Sequence, residues 1–153
     1  MQLRSLNDRL QGRRGTDCLT PPQVETARVV YGPLKDPQSG KILYPGLARG
    51  SEMAWVPALG GPDPFAIAFD HFRYFVHEDP NWDWRKFDLV RDTAVSEEKD
   101  KHIAALNPDL KAFKARGGKL LLWHGWIDQL IAPENTINYY NSVLAAMGPK
   151  QDG

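Results

Sequence analysis

A short apolar run near residue 120 is followed directly by a glycine-containing turn and then by an amphipathic helix. The run is Lys119 to Trp123, the turn is His124-Gly125-Trp126-Ile127-Asp128, and the helix begins at Pro133. An apolar run of this length after a glycine pair is typical of a strand buried on both faces of a parallel sheet. With a short helix predicted over residues 108–116, the order is helix, strand, loop, helix. The sequence therefore predicts an α/β fold class.

Asp128 is the strongest candidate for chemistry because it follows the predicted strand. Open α/β sheets place their catalytic groups at the carboxyl ends of strands, and Gly125 allows the sharp turn that such a position needs. In a Ser-His-Asp triad, the acid accepts a hydrogen bond from Nδ1–H of the histidine and stabilises the imidazolium that forms. The pattern leaves two interpretations open. Asp128 is such an acid, or it caps the turn or helix that follows.

Upstream of residue 104, the sequence predicts helices separated by many turns. Thr20-Pro21-Pro22-Gln23 is a capping-box sequence that opens one helix, and a hairpin is predicted around Ser39-Gly40. Asp63 is the predicted cap of a second helix. That helix carries one apolar stripe, which we expect to lie in the core: Phe65, Phe69, Phe72 and Val76. A weaker helical pattern covers residues 90–106.

Charge and hydropathy exclude several kinds of partner. The 19 basic and 19 acidic residues give a formal net charge of zero, so we predict no nucleic-acid partner. No apolar run approaches the roughly 20 residues of a membrane span, and we predict no membrane partner. Residues 1–15 are basic but lack the apolar stretch of a secretory signal. We expect this N-terminal segment to be poorly ordered.

Neither the histidines nor the acidic residues follow a metal-binding pattern. The histidines are His71, His77, His102 and His124. No pair of them has zinc-site spacing, and we expect His71 to be a helix-surface or satisfied core residue. A spaced series of aspartates lacks the glycine and the closing glutamate of a calcium loop, so we expect a solvated face: Asp79, Asp83, Asp88 and Asp92. We therefore predict no metal site.

Motifs spread along most of the chain resemble the tannase and feruloyl esterase family. They are Cys18-Leu19-Thr20 with Gln23, Tyr31-Gly32-Pro33, Tyr44-Pro45-Gly46, Gly50-Ser51-Glu52 with Trp55, Trp82-Asp83-Trp84-Arg85 with Phe87, and Asn107-Pro108-Asp109-Leu110 with Phe113. The stretch from Gly117 to Ile131, followed by Pro133, Thr136 and Tyr139-Tyr140, is similar to the same family. The resemblance runs from about Asp17 to Gly148.

The resemblance implies a fragment of an α/β-hydrolase that has a large lid inserted before the strand leading to the triad acid. Residues 16–103 would be the latter part of the lid domain. Residues 104–153 would be part of the catalytic domain, with one helix-strand-loop-helix piece of its sheet. Asp128 would be the triad acid and His124 a scaffolding residue. The full-length protein would be a serine esterase, secreted or periplasmic, that cleaves small esters of aromatic acids.

The sequence departs from the family pattern in what it lacks. No serine lies in a nucleophile elbow, although there are five: Ser5, Ser39, Ser51, Ser96 and Ser142. The resemblance places the triad histidine beyond Gly153. The lid loop in which family members often bind calcium has no counterpart here, so we expect no cofactor in this segment. Cys18 is either a small buried apolar residue or, as the resemblance implies, the partner of a lid cysteine outside this chain.

Two functional interpretations follow from these departures. The first is a partial esterase that is inactive alone. The alternative is a stand-alone, non-catalytic binding or interaction protein derived from the lid. Trp82, Trp84 and Trp126 are candidates for an aromatic substrate pocket, although packing in the core or the lid explains them as well. The sequence assigns no substrate-binding residue.

Overall fold

The computed structural model describes residues 18–151, and the prediction for residues 1–15 lies outside that range. The elements in chain order are α1 Pro21–Tyr31, β1 Leu34–Lys35, β2 Ile42–Tyr44, a 3₁₀ turn Glu52–Ala54, α2 Trp55–Leu59, α3 Ala66–Asp70, a π-helix His71–Val76, a 3₁₀ turn Trp84–Lys86, α4 Leu89–Asp100, α5 Lys111–Ala115 and α6 Glu134–Met147. None of the helices in this range is long and apolar enough to cross a membrane.

The N-terminal helix and the hairpin form where the sequence predicts them. Gln23 Oε1 accepts a hydrogen bond from the backbone N–H of Thr20 at 2.8 Å, which holds the start of α1. Strands β1 and β2 pair antiparallel, with Leu34 opposite Tyr44. In the turn between the strands, Asp36 Oδ1 accepts hydrogen bonds from two backbone N–H groups, at 2.7 and 3.1 Å. Both predictions are confirmed, and both depend on contacts within a few residues.

Two of the family motifs, Tyr31-Gly32-Pro33 and Tyr44-Pro45-Gly46, meet where the end of α1 contacts the segment that follows β2. Gly46 is buried there and has φ +90°. A Cβ atom at this position would lie 2.5 Å from the carbonyl oxygen of Tyr31 and 2.6 Å from that of Gly32. The backbone N–H of Leu47 donates to the carbonyl of Val30 at 3.0 Å and fixes this crossing. Only glycine fits such a close approach between two backbone segments.

The second predicted helix begins later than expected and changes its type along its length. Phe65 is still extended, with φ −55° and ψ 125°, so α3 begins at Ala66 and the prediction that Asp63 caps it is wrong. The helix continues as the π-helix, whose wider turn changes the direction of the side chains. Val76 is buried, as predicted. The three phenylalanines of the stripe are only partly buried, so the expected core stripe is confirmed for its last member alone.

The predicted strand at Lys119–Trp123 is absent. Residues 119–126 lie outside the helices and strands, and the sheet described within residues 18–151 contains β1 and β2 alone. The side chains of Leu121 and Trp123 are 86% and 84% exposed. A strand needs a neighbour for its ladder of hydrogen bonds, and no segment of the described range pairs with this one. The following helix is confirmed as α6, with Val143 buried.

Asp92 corrects the expectation of a solvated acidic face. Its side chain is fully buried at the start of α4, whereas Asp79 and Asp88 are exposed. The carboxylate accepts hydrogen bonds from Arg91 Nε at 2.6 Å and from the backbone N–H of Asp88 at 2.9 Å. The Arg91 hydrogen bond lowers the pKa of Asp92, against the effect of burial. A sequence pattern cannot distinguish this helix-end role from a solvated one, because both place an aspartate near a helix N-terminus.

Candidate active site

One carboxylate oxygen of Asp128 holds the turn in which the residue lies. Oδ1 accepts hydrogen bonds from the backbone N–H groups of Leu130 and Ile131, each at 2.9 Å. The N–H of Ile131 and then that of Leu130 lower the pKa of Asp128, and the nearby His124 adds to the effect. The carboxyl group is therefore held ionised at neutral pH. These contacts confirm the turn-capping interpretation for Oδ1.

The other oxygen, Oδ2, accepts no backbone hydrogen bond of the turn and faces His124. Oδ2 lies 3.4 Å from His124 Nε2, and the Asp128 side chain is 36% exposed. An ionised carboxylate has about four acceptor positions, so Oδ2 can accept a further hydrogen bond from a donor outside the loop. Because Oδ1 holds the turn and the side chain is partly exposed, turn capping and a catalytic role for Oδ2 are compatible.

His124 joins the acid loop, which we define as residues 124–132, to helix α6. Its Nδ1 lies 2.6 Å from Thr136 Oγ1, and its Nε2 lies 3.1 Å from the carbonyl oxygen of Ile131. A carbonyl only accepts, so Nε2 is the donor in the contact with Ile131, and Nδ1 is the hydrogen-bond partner of the Thr136 hydroxyl. Both ring nitrogens are engaged within the framework of the loop. His124 is therefore the scaffolding residue that the resemblance implied.

The hairpin and the turn after it contact the acid loop from the other side. The Tyr44 hydroxyl, at the end of β2, donates to the carbonyl oxygen of Leu130 at 3.3 Å. Burial raises the pKa of Tyr44, a hydrogen bond with the backbone of Ala132 opposes this, and the negative charge of Asp128 raises the pKa further. At Gly50, which has φ +100°, a Cβ atom would lie 2.8 Å from Cγ2 of Ile127. The acid loop is thus in contact with residues far from it in sequence.

Ser51 and Ser96 are engaged in structural hydrogen bonds. The buried Ser51 hydroxyl donates to the carbonyl of Ala48 at 2.6 Å and accepts from Trp55 Nε1 at 3.0 Å. Ser96 Oγ lies 2.8 Å from His71 Nε2 and donates to Asp100 Oδ2 at 3.0 Å.

The group formed by Ser96, His71 and Asp100 does not have triad geometry. In a triad, the serine bonds to one ring nitrogen of the histidine and the aspartate to the other. Here Asp100 Oδ2 lies 3.6 Å from His71 Nε2, the same nitrogen that contacts the serine. The group instead ties the π-helix to α4, and His71 is a satisfied residue, as predicted.

Two of the three candidate tryptophans border one aromatic cavity. This cavity has a volume of about 680 Å³. Its aromatic lining is Phe65, Phe69, Phe72, Trp82, Trp84 and Phe87. Trp126 borders a different cavity, beside Pro45 and Leu47. A further cavity includes Phe65 and Ala68 from the aromatic wall and reaches Tyr44 and Leu130. An apolar surface thus connects the aromatic cavity with the acid loop.

The remaining histidines lie elsewhere. His77 stacks on Trp82, with ring centroids 4.7 Å apart, and His102 is exposed after the end of α4. Within residues 18–151, no group of three or more histidine, cysteine, aspartate or glutamate side chains is arranged to hold a metal ion. The pairing of Cys18 stays a prediction.

Two solved structures of esterases are similar to this chain. A crystal structure of feruloyl esterase B from Aspergillus oryzae matches with a TM-score of 0.80 and 33% identity, covering 94% of this chain and 29% of that chain. A crystal structure of an esterase from Aspergillus oryzae matches with a TM-score of 0.78 and 39% identity, covering 89% of this chain and 27% of that chain. The described part of this chain is therefore similar in fold to part of each of these two esterases.

Sequence comparison gives the family. The model of the family described as tannase and feruloyl esterase matches residues 7–152. Probable feruloyl esterase B-1 of Aspergillus flavus and probable feruloyl esterase B-2 of Aspergillus oryzae are each 39% identical over 137 residues, which is 89% of this chain and 26% of each relative. The chain belongs to the tannase and feruloyl esterase family, which confirms the resemblance. It spans about a quarter of the length of these relatives.

Proposed function

We propose that Asp128 is the acid of a Ser-His-Asp triad in a carboxylic-ester hydrolase whose serine and histidine are supplied by residues outside this chain. The observation that carries the proposal is that the two carboxylate oxygens of Asp128 make different contacts. Oδ1 is held by two backbone N–H groups, whereas Oδ2 lies 3.4 Å from His124 Nε2 in a side chain that is 36% exposed. A triad acid has to be ionised and has to offer an acceptor to the histidine, and the lowered pKa of Asp128 together with its second carboxylate oxygen supports this role.

In the mechanism, each group has one task. The serine attacks the ester carbonyl, and the histidine takes the serine proton and later passes it to the leaving alcohol. Asp128 Oδ2 accepts the hydrogen bond from the histidine Nδ1–H and stabilises the imidazolium. The lowered pKa of Asp128 keeps its charge available at the pH at which the histidine cycles.

The substrates are small esters of aromatic acids. The aromatic cavity and the apolar surface that joins it to the acid loop support this class, because aromatic rings bind well against aromatic side chains. The names of the relatives, which are feruloyl esterases, point in the same direction. Residues 16–103 form part of the lid and residues 104–153 part of the catalytic domain. The full-length protein is secreted or periplasmic, and this segment carries no cofactor.

A chimeric enzyme tests the role of Asp128. The matched 137 residues of probable feruloyl esterase B-2 of Aspergillus oryzae are replaced by the corresponding residues of this chain, and turnover of methyl ferulate is measured. We expect Asp128→Asn to lower kcat by about 10⁴-fold, as loss of the acid does in other triads. The 153-residue chain alone should hydrolyse methyl ferulate only at the background rate.

Asp36→Asn is the matched control. Asp36 Oδ1 accepts from the N–H groups two and three residues further on, which is the same local geometry as at Asp128. Both substitutions therefore perturb a turn in the same way, but only Asp128 lies in the acid loop. Equal turnover for the two variants would show that Asp128 is a turn residue only. Hydrolysis by the isolated chain well above background would refute its predicted inactivity.

The aromatic cavity favours one other candidate, a non-catalytic phenolic-binding protein. In that case the isolated chain would bind methyl ferulate stoichiometrically without cleaving it, as measured by calorimetry, and Trp84→Ala would abolish the heat of binding. The chimera distinguishes the two candidates. A chimera that folds but lacks esterase activity, together with tight binding by the isolated chain, would favour the binding protein.

A further inference from the structure

A continuous path of hydrogen bonds runs from Tyr44 to the carboxylate of Asp128 through one peptide group. The Tyr44 hydroxyl donates to the carbonyl oxygen of Leu130 at 3.3 Å. That carbonyl belongs to the same peptide unit as the N–H of Ile131, which donates to Asp128 Oδ1 at 2.9 Å. A hydrogen bond to a peptide oxygen polarises the unit and makes its N–H a stronger donor, on the order of 10–30% per bond in condensed phases.

We propose that Tyr44 is a positioning residue for Asp128, acting through the Leu130–Ile131 peptide to orient and strengthen the N–H that holds Oδ1. Tyr44 does not touch the carboxylate in this arrangement. Its effect is to fix the plane of the peptide and, with it, the direction in which Oδ2 points. The catalytic consequence rests on the proposed function, whereas the coupling between Tyr44 and Asp128 can be measured without catalysis.

Two other observations support this role. The Tyr44 phenol keeps its proton because burial raises its pKa against the lowering effect of a hydrogen bond with the backbone of Ala132, and the charge of Asp128 adds to the rise. The hairpin and the turn after it also meet the loop at a second point, where Gly50 lies against the side chain of Ile127. This turn is held by its own hydrogen bond, from the N–H of Gly50 to Glu52 Oε1 at 3.1 Å. The hairpin and the turn after it therefore contact the acid loop at two points, and the turn is stabilised by its own hydrogen bond.

The direct test is a carboxyl titration of Asp128 by NMR in the 153-residue chain. In Tyr44→Phe, which removes one oxygen atom and keeps the ring, we expect the pKa of Asp128 to rise because the Ile131 N–H donates less strongly. The amide proton of Ile131 should move upfield. Tyr74→Phe is the matched control, because the Tyr74 hydroxyl lies on the exposed side and contacts Arg73. This control should leave both signals unchanged.

A second measurement needs no substitution. As the unaltered chain is taken to high pH, the carbonyl ¹³C signal of Leu130 should titrate together with the ring carbon of Tyr44 that carries the hydroxyl. This readout covers the case in which Tyr44→Phe fails to fold. A Leu130 signal that does not follow the Tyr44 titration would overturn the proposal, as would an Asp128 pKa that is the same in Tyr44→Phe and in the unaltered chain.

The chimera separates this proposal from the proposed function. There, Tyr44→Phe should lower kcat by roughly 3- to 10-fold and leave KM within twofold, since one hydrogen bond that orients the acid is lost. Unchanged kcat in Tyr44→Phe, in a chimera in which Asp128→Asn is inactive, would overturn the positioning role alone. If Asp128→Asn is fully active, the proposed function fails, and the titration still decides whether Tyr44 orients the carboxylate.

Discussion

Replacing Gly46 by alanine should be among the more destabilising single-methyl additions in the chain. Gly46 lies where the end of α1 crosses the chain after β2, with φ +90°. The new Cβ would lie 2.5 Å from the carbonyl oxygen of Tyr31, and backbone atoms cannot move aside as a flexible side chain can. Gly148 has the same φ of +90°, but a Cβ there would have its nearest neighbour, Gln151 Nε2, 4.0 Å away. The pair therefore separates backbone strain from the steric clash.

The expected magnitude follows from these two environments. The backbone of Gly148, with φ +90° and ψ 161°, lies in a region that costs a residue with a Cβ about 1–3 kcal/mol, and loss of freedom in the unfolded chain offsets about 0.4–1 kcal/mol of this. Gly148→Ala should therefore lose about 1 kcal/mol. Gly46→Ala carries a backbone cost of the same order. In addition, it loses about 1–3 kcal/mol to overpacking and about 1 kcal/mol because the Leu47–Val30 hydrogen bond is weakened. The free energy of unfolding should differ by about 2–4 kcal/mol between the two variants.

Urea denaturation followed by circular dichroism measures this difference. The unaltered chain, Gly148→Ala and Gly46→Ala are compared at one pH and one protein concentration. A Gly46→Ala chain that is already unfolded without urea, beside a folded Gly148→Ala chain, would agree with the expected order. Two variants with the same midpoint and slope would refute the close backbone approach, because strain at equal φ would then account for the whole effect.

Two further predictions concern charge and surface. Arg91 lowers the pKa of the buried Asp92, so this carboxylate stabilises the fold above its ordinary pKa, and the contribution is lost as the pH falls through its folded-state value. Urea midpoints measured from pH 7 to pH 3 should fall less steeply in Asp92→Asn than in the unaltered chain, and parallel curves would contradict this. Leu121 and Trp123 expose an apolar segment, so the double change to lysine should reduce self-association in sedimentation velocity, whereas the exposed control Met53→Lys should not. Equal sedimentation of all three proteins would rule out this segment as the contact.

The elements that the sequence predicts well depend on contacts between residues close in the chain. The capping residue Gln23 lies three positions from Thr20, and the hairpin turn is closed within residues 36–41. Such contacts are encoded in short patterns of residue type, so the sequence is sufficient to predict them. The start of α3 was predicted wrongly because the extended backbone of Phe65 is not implied by its residue type.

Contacts between distant residues could not be predicted in the same way. Tyr44 and Leu130 are 86 positions apart, and no periodicity links them. The motifs around Tyr44 and around Asp128 were recognised separately by resemblance, but their meeting is visible only in three dimensions. The strand predicted at Lys119–Trp123 is absent because it also depends on contacts with distant residues. Its apolar pattern describes the environment of a strand, and pairing requires partner strands that residues 18–151 do not supply.

The two interpretations of Asp128 were exclusive in the sequence and are compatible in the structure. A pattern of residue types treats a carboxylate as one group, but its oxygens are separate acceptors. Oδ1 takes two N–H groups of the turn, and this same contact orients the carboxylate and lowers its pKa. Capping therefore prepares Asp128 for a catalytic task that Oδ2 would perform. If the capping bonds were lost, the carboxylate would rotate freely, and ordering it would oppose the hydrogen bond to a catalytic histidine. A turn-capping aspartate with one accessible oxygen is thus a better triad acid than an aspartate with both oxygens free.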